Sequence, residues 1–324
     1  MTSIDNILQT ISPELKELNQ CMVQALATSN PLMNEIVTNY LKVKGKQIRP
    51  VLVILSAKMF GRLNKATISG AASIEMLHNA SLIHDDVVDD TLVRRSRPTI
   101  NAIWDNHIAV LVGDFFTSTS LRMAVETDDI RIISTIAELG RTLSLGEIDQ
   151  INKARTHVLD EQAYLEIIAK KTASLFVACV HMGGLSVKAD NEQIELLSKF
   201  AYNLGLCFQI RDDIFDYFAD ARIGKPTGND LREGKVTLPL LYALSRTDLP
   251  DHEQMLELVK SEELQSDEIS RLISFAVENG GIDYAYRRMA ELREDAVEII
   301  SRFPDSPTRQ AFIGLFDYII ARNY

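Results

Sequence analysis

Apolar residues recur at three- and four-residue steps from the start of the chain: Ile4, Ile7, Leu8 and Ile11, then Leu15, Leu18 and Met22. That is the period of a helix with one face in a core. The same stepping predicts helices over roughly Val51 to Phe60, Thr67 to Val88, Asn106 to Glu126, Ile130 to Gln150 and Glu161 to Met182. It continues over Glu192 to Phe218, Thr237 to Ser245, Ser266 to Asn279, Asp283 to Arg302 and Thr308 to Ile319. Pro50 suits a first helical turn. No convincing period-two strand stands out. Three polar connections, Val43 to Lys46, Val93 to Thr99 and Gly224 to Gly234, are rich in Lys and Arg. The pattern predicts an all-α protein, a single domain over residues 1–324 with ten or more helices and with cations in its loops.

Composition narrows the possibilities. The chain has 324 residues, 46% of them hydrophobic, with 15 Gly and 9 Pro. That is enough to bury a large core, and too little Gly and Pro for a disordered, collagenous or many-turned β protein. A net charge of −11 argues against a partner such as nucleic acid, which would need a basic surface to displace counterions. An anionic ligand must therefore be held by local cations or by metal. Cys21, Cys179 and Cys207 form no CxxC pair, so the expectation is three buried, reduced thiols. No run reaches the roughly eighteen uninterrupted apolar residues of a spanning helix, and the start MTSIDNILQT lacks a basic region followed by an apolar one. A cytoplasmic protein without stable membrane insertion is expected.

The chemistry lies in two acidic clusters. In His84-Asp85-Asp86-Val-Val-Asp89-Asp90, helical spacing puts Asp85 and Asp89 one turn apart on one face, with Asp86 beside them. A second cluster, Gln209-Ile-Arg-Asp212-Asp213-Ile-Phe-Asp216, repeats the arrangement. One such cluster alone would read as a solvated acidic face. Two, each inside an apolar helix and each followed by a cationic loop, point to a bound cation, because clustered ionised carboxylates in apolar surroundings are costly without one. Hard oxygen ligands at this spacing suit Mg²⁺, which keeps waters and bridges carboxylates to phosphates. Neither cluster has the central Gly and terminal Glu of an EF-hand loop.

The cations complete the pattern. Lys44, Lys46 and Arg49 precede the first cluster and Arg94 and Arg95 follow it; Lys170 and Lys171 precede the second, with Lys225 and Lys235 after it. Guanidinium groups take phosphate bidentately and lysines add point charges. Two acidic patches with this many cations exceed the needs of one monophosphate, so the ligand is read as a diphosphate or two. The apolar and small residues before the first patch, Met76, Leu77, Ala80, Ser81 and Leu82, suggest hydrocarbon for the rest of it.

Gly45-Lys46-Gln-Ile-Arg49-Pro50, the DDVVD of Asp85 to Asp89 with Arg94-Arg95, Lys171-Thr172-Ala173, and Phe208-Gln209-Ile-Arg-Asp212-Asp213-Ile-Phe-Asp216 followed by Gly224-Lys225 resemble the trans-type isoprenyl diphosphate synthases, or polyprenyl synthetases. The likeness runs in order from about residue 40 to residue 240. It implies a helical bundle of the isoprenoid synthase type with a central cavity, two acidic walls clamping Mg²⁺, and a homodimer. Residue by residue, it implies that Asp85, Asp86, Asp89, Asp212, Asp213 and Asp216 act in catalysis with Lys171, with Asp85, Asp89 and Asp212 as the metal ligands. Lys46, Arg49, His78 and Arg95 would hold isopentenyl diphosphate. Arg94, Lys171, Thr172, Gln209, Lys225 and Lys235 would contact an allylic diphosphate. Ser96 departs from the Gly the family usually has after the paired arginines. His84 and His107 are read as structural.

Product length follows from helix geometry. A chain growing away from Asp85 passes Ser81 and Ala80, one turn of about 5.4 Å lower. Both are small, which leaves the way open and predicts a product of about C35 to C50, with about C40 favoured. Phe116 and Met123 are the candidates for the floor. A terpene cyclase would need a different second metal motif and no Lys46–Arg49 site. A non-catalytic partner subunit should have lost an acidic patch. This chain keeps both.

Overall fold

Helix accounts for 79% of the described residues. The computed structural model describes residues 4–42, 45–94, 97–218, 227–261 and 263–321. In chain order the helices are α1 (Ile4–Thr10), α2 (Ser12–Leu26), α3 (Pro31–Leu41), α4 (Ile48–Phe60), α5 (Lys65–Val88), α6 (Ile100–Ile103), α7 (Asn106–Val125), α8 (Ile130–Thr156) and α9 (Glu161–Ile168). A π-turn, Ala169–Ala173, leads into α10 (Ser174–Ser186). Then come α11 (Asn191–Phe215), α12 (Asn229–Arg232), α13 (Leu238–Ser245), α14 (His252–Val259), α15 (Ser266–Glu278), α16 (Gly281–Ser301) and α17 (Pro307–Ala321).

The all-α expectation holds, with three local differences. Val93–Arg94 and Arg97–Pro98 form a two-residue antiparallel hairpin where no strand was expected. The helix predicted from Glu161 to Met182 is continuous but carries a π-turn, and the short α6, α12 and α14 have too few turns to show a period. By length and composition α7 could cross a membrane, although Asp114 and Arg122 interrupt its apolar run. Cys179 and Cys207 are buried free thiols as expected, whereas Cys21 is half-buried.

Packing groups the chain into two compact units. The first comprises residues 1–141, 175–201 and 299–318. Its long α5 starts on a capping box between Asn64 and Thr67 and buries fourteen residues. It lies along α7, where Ser73 Oγ donates to the Ser120 carbonyl at 2.8 Å and Ser120 Oγ to the Ser73 carbonyl at 2.7 Å. Gly113 on α7 makes room for His84, since a Cβ there would lie 2.2 Å from the imidazole Nε2. Phe200 packs edge-on against Phe312 and Phe316, each at 5.5 Å.

The second unit comprises residues 142–174, 202–298 and 319–324. Its core joins Tyr217, Leu231, Leu240, Met255, Leu272 and Phe275. Asp160 caps α9 by accepting the Ala163 amide at 2.7 Å.

Candidate active site

Within the first unit, α5 ends in the first acidic cluster. Asp85 and Asp89 are half-buried one turn apart, and the Asp89 amide closes the helix on the Asp85 carbonyl at 2.8 Å. Asp86 differs. It is buried and its Oδ1 accepts Arg94 Nε at 2.7 Å. Asp90 then turns the chain with a φ of 47°. Thr99 Oγ1 and Asn101 Nδ2 both donate to the Thr91 carbonyl, at 2.8 and 3.1 Å, and Asn101 also reaches the Asp86 carbonyl at 3.2 Å. These two side chains, which motif reading missed, fasten the loop that aims Arg94 back at α5. The N-cap position of Thr99 before α6 was the available signal. Loss of Arg94 would leave a buried carboxylate short of a charged donor, at about 1–3 kcal/mol.

Lys46 and Arg49 flank the start of α4. Lys46 is exposed, its Nζ 5.2 Å from the Tyr318 ring, and Arg49 is half-buried 5.8 Å from the Phe176 ring. Between them Gln47 adopts a φ of 50° and exchanges amide hydrogen bonds with Asn19 at 3.2 and 3.4 Å, which ties the loop to α2. His78 is buried, and its carbonyl accepts Ser81 Oγ at 2.9 Å. His84, read as structural, packs on α7 beside the Val110 carbonyl at 3.2 Å.

The chain-length candidates fall on different faces. Ser81 is half-buried and shares the Asp85 face at i, i−4. Ala80 is 1% exposed and shares the face of Ser73 and His84, the one that meets α7. Phe116 and Met123 are buried on α7, with Phe116 edge-on to Tyr40 at 5.5 Å.

The second unit carries the other acidic cluster near the end of α11. Asp213 is buried, and both its oxygens are taken: Tyr164 Oη donates to one at 2.6 Å and Gln209 Nε2 to the other at 2.7 Å. Thr172 Oγ1 donates to Gln209 Oε1 at 2.7 Å. Burial pushes the Asp213 carboxyl up to about 6; the Tyr164 and Gln209 hydrogen bonds oppose the rise and the neighbouring Asp212 and Asp216 add to it. Asp216 accepts the backbone amides of Asn229 and Asp230 at 3.1 and 3.0 Å and so caps α12. Asp230, which the motifs did not flag, is raised well above the usual carboxylate range by burial, then by Asp213 and Asp216. Asp212 is half-buried.

Lys171 sits in the π-turn with Nζ 2.6 Å from Glu147 Oε2. Gly146 lets that turn approach α8: a Cβ there would lie 3.0 Å from Lys170 Cβ and 3.1 Å from the Lys171 amide. A π-turn inserts one extra residue per turn and so re-aims the side chains it carries, a device common at functional sites. Lys235 pairs with Glu233, and its amide donates to the Asp230 carbonyl at 2.7 Å. A cavity of about 130 Å³ is lined by Lys171, Gln209, Asp213, Asp230 and Lys235. Arg95, Ser96 and Lys225 lie outside the described residues.

The donor set fits a hard cation. It is all oxygen, and burial disfavours the ionised forms of Asp213 and Asp230 there. Among the described residues no three His, Cys, Asp or Glu side chains converge closely enough to hold a metal ion by themselves.

Residues 30–276 match the family model "Polyprenyl synthetase". The octaprenyl diphosphate synthase of Haemophilus influenzae is 32% identical over 100% of this chain and 98% of its own. Heptaprenyl diphosphate synthase component 2 of Bacillus subtilis is 32% identical over 97% of this chain and 89% of its own. A crystal structure of geranylgeranyl pyrophosphate synthase from Bacteroides thetaiotaomicron is 38% identical, with a TM-score of 0.86 over 99% of this chain and 100% of that one. The chain belongs to the polyprenyl synthetase family and is a trans-prenyltransferase.

Proposed function

We propose that this enzyme, acting as a single domain over residues 1–324, extends farnesyl or geranylgeranyl diphosphate with isopentenyl diphosphate to an all-trans product of about C40, plausible in chemistry as a quinone side chain. The observation that carries the reading is the recurrence, in each unit, of an acidic helix end flanked by cations. Mg²⁺ would be held by Asp85 and Asp89 of one cluster and by Asp212 of the other, with Asp86, Asp213 and Asp216 supporting their neighbours through the Arg94, Tyr164–Gln209 and α12 contacts. When bound, the cation would neutralise charge on the departing diphosphate.

The chain's own groups do the rest. Lys171, Lys235, Lys225 and Arg94 supply fixed positive charge to the allylic diphosphate, with Thr172 and Gln209 orienting it. Lys46, Arg49, His78 and Arg95 hold isopentenyl diphosphate so that, once the carbon–oxygen bond has ionised and diphosphate has left, its double bond attacks the allylic carbocation. Apolar surroundings exclude water from the carbocation. Among the described residues of these motifs no side chain is placed as a general base; the released diphosphate takes the proton whose loss restores the double bond.

A homodimer is supported by α7, whose outer face exposes Val110, Leu111, Leu121 and Val125 in one helical stripe. Light scattering should then read about twice the 36.3 kDa chain mass; a monomer would refute the assignment of that face. The same helix buries its opposite side on α5, which supports a cytoplasmic protein without stable membrane insertion. A second reading, arrest at geranylgeranyl length, is favoured by the 38% identical relative. Diphosphate release by the purified protein alone, from farnesyl plus isopentenyl diphosphate with Mg²⁺, tests the activity; no release would refute it. The length of the product separates the two readings.

A further inference from the structure

The second acidic turn is tied to the segment before it by two hydrogen-bonded paths that end on one carboxylate. Tyr164, on α9, reaches Asp213 directly at 2.6 Å. Thr172, in the π-turn, reaches it through Gln209, by links of 2.7 Å each. Tyr164 and Asp213 are 7% and 5% exposed, so water competes little for these bonds. Along the chain the two attachment points bracket Lys171. Since α9 runs into the π-turn without a break, fixing it at both points fixes its slide and its rotation against the end of α11. A phenol also brings little rotamer freedom to the join. Nothing in the acidic or cationic motifs marks Tyr164.

We propose that Tyr164 is a positioning residue: through Asp213 it holds the turn bearing Lys171 and Thr172 in register with Asp212 and Asp216. This rests on the reading of the second acidic turn as part of the diphosphate site. With both oxygens engaged by protein donors, Asp213 acts as the anchor between the two segments.

Tyr164→Phe removes one oxygen and keeps the ring. Loss of such a supporting hydrogen bond is expected to weaken half-saturation by Mg²⁺ and the allylic diphosphate about 10- to 100-fold, while the KM for isopentenyl diphosphate, whose residues lie in the first unit, stays within about twofold of wild type. A readout free of turnover is the thermal stabilisation of the protein by Mg²⁺ with inorganic pyrophosphate, which should shift to correspondingly higher concentration. Thr172→Val, which cuts the other path, should show the same split. Combined with Asp213→Asn, Tyr164→Phe should add little further loss, because both act on one contact.

A tyrosine that merely packs would lower Tm and leave these dependences alone, and that result overturns the proposal. So does a Tyr164→Phe enzyme whose two KM values rise together, or strict additivity with Asp213→Asn. If wild type transferred no prenyl group but bound Mg²⁺-pyrophosphate in a Tyr164-dependent way, the functional reading would fall and the positioning role would stand.

Discussion

Asp85→Ala lowers prenyl transfer by on the order of 10²–10³-fold at saturating Mg²⁺, and Asp212→Ala does the same. Breaking the allylic carbon–oxygen bond places new negative charge on the leaving diphosphate, and a preorganised cation is the largest single source of its stabilisation. Asp85 and Asp212 are half-buried and stand beside carboxylates already tied to protein groups, Asp86 to Arg94 and Asp213 to Tyr164 and Gln209. Removing either of the two takes a proposed ligand from the cation. The measurement is labelled isopentenyl diphosphate turned over per enzyme, with circular dichroism to confirm the fold. Turnover within about threefold of wild type would contradict the assignment of these residues; the threefold margin is the context scatter of any single interaction.

Ser81→Phe shortens the product by several isoprene units, whereas Ala80→Phe chiefly destabilises the protein. Ser81 lies on the Asp85 face one turn down the helix, so a ring there obstructs hydrocarbon running from the diphosphate. Ala80 is 1% exposed on the face that packs against α7, between the Ser73–Ser120 and His84–Val110 contacts. A phenyl group has no room there, and overpacking costs about 1–3 kcal/mol or more. Reversed-phase chromatography of the dephosphorylated products, paired with thermal melts, checks both. An unchanged product from a folded Ser81→Phe enzyme would move the growth path off this face.

Much of this was legible because it is local. Helical period is a property of neighbouring residues, so α5, α7 and α11 could be read from their apolar steps, and Asp85 and Asp89 could be placed on one face by arithmetic. The π-turn could not, since its extra residue is accommodated by Gly146 on another helix. Nor could the distinction between the aspartates within each cluster. Asp86 and Asp213 are set apart by partners eight and forty-nine residues away, Arg94 and Tyr164, and burial at that range leaves no periodic trace. The two small residues before Asp85 looked equivalent in sequence; only the neighbour each one faces separates Ala80 from Ser81.

In the proposed reaction this chain alone builds a long prenyl chain on an allylic diphosphate. Labelled isopentenyl diphosphate incubated with purified protein, Mg²⁺ and farnesyl diphosphate, followed by chain-length chromatography, tests it most directly. Products of about C35 to C50 centred on about C40 are expected, and none when the cation is chelated. Label remaining entirely in isopentenyl diphosphate, or gathered at C20, would contradict it.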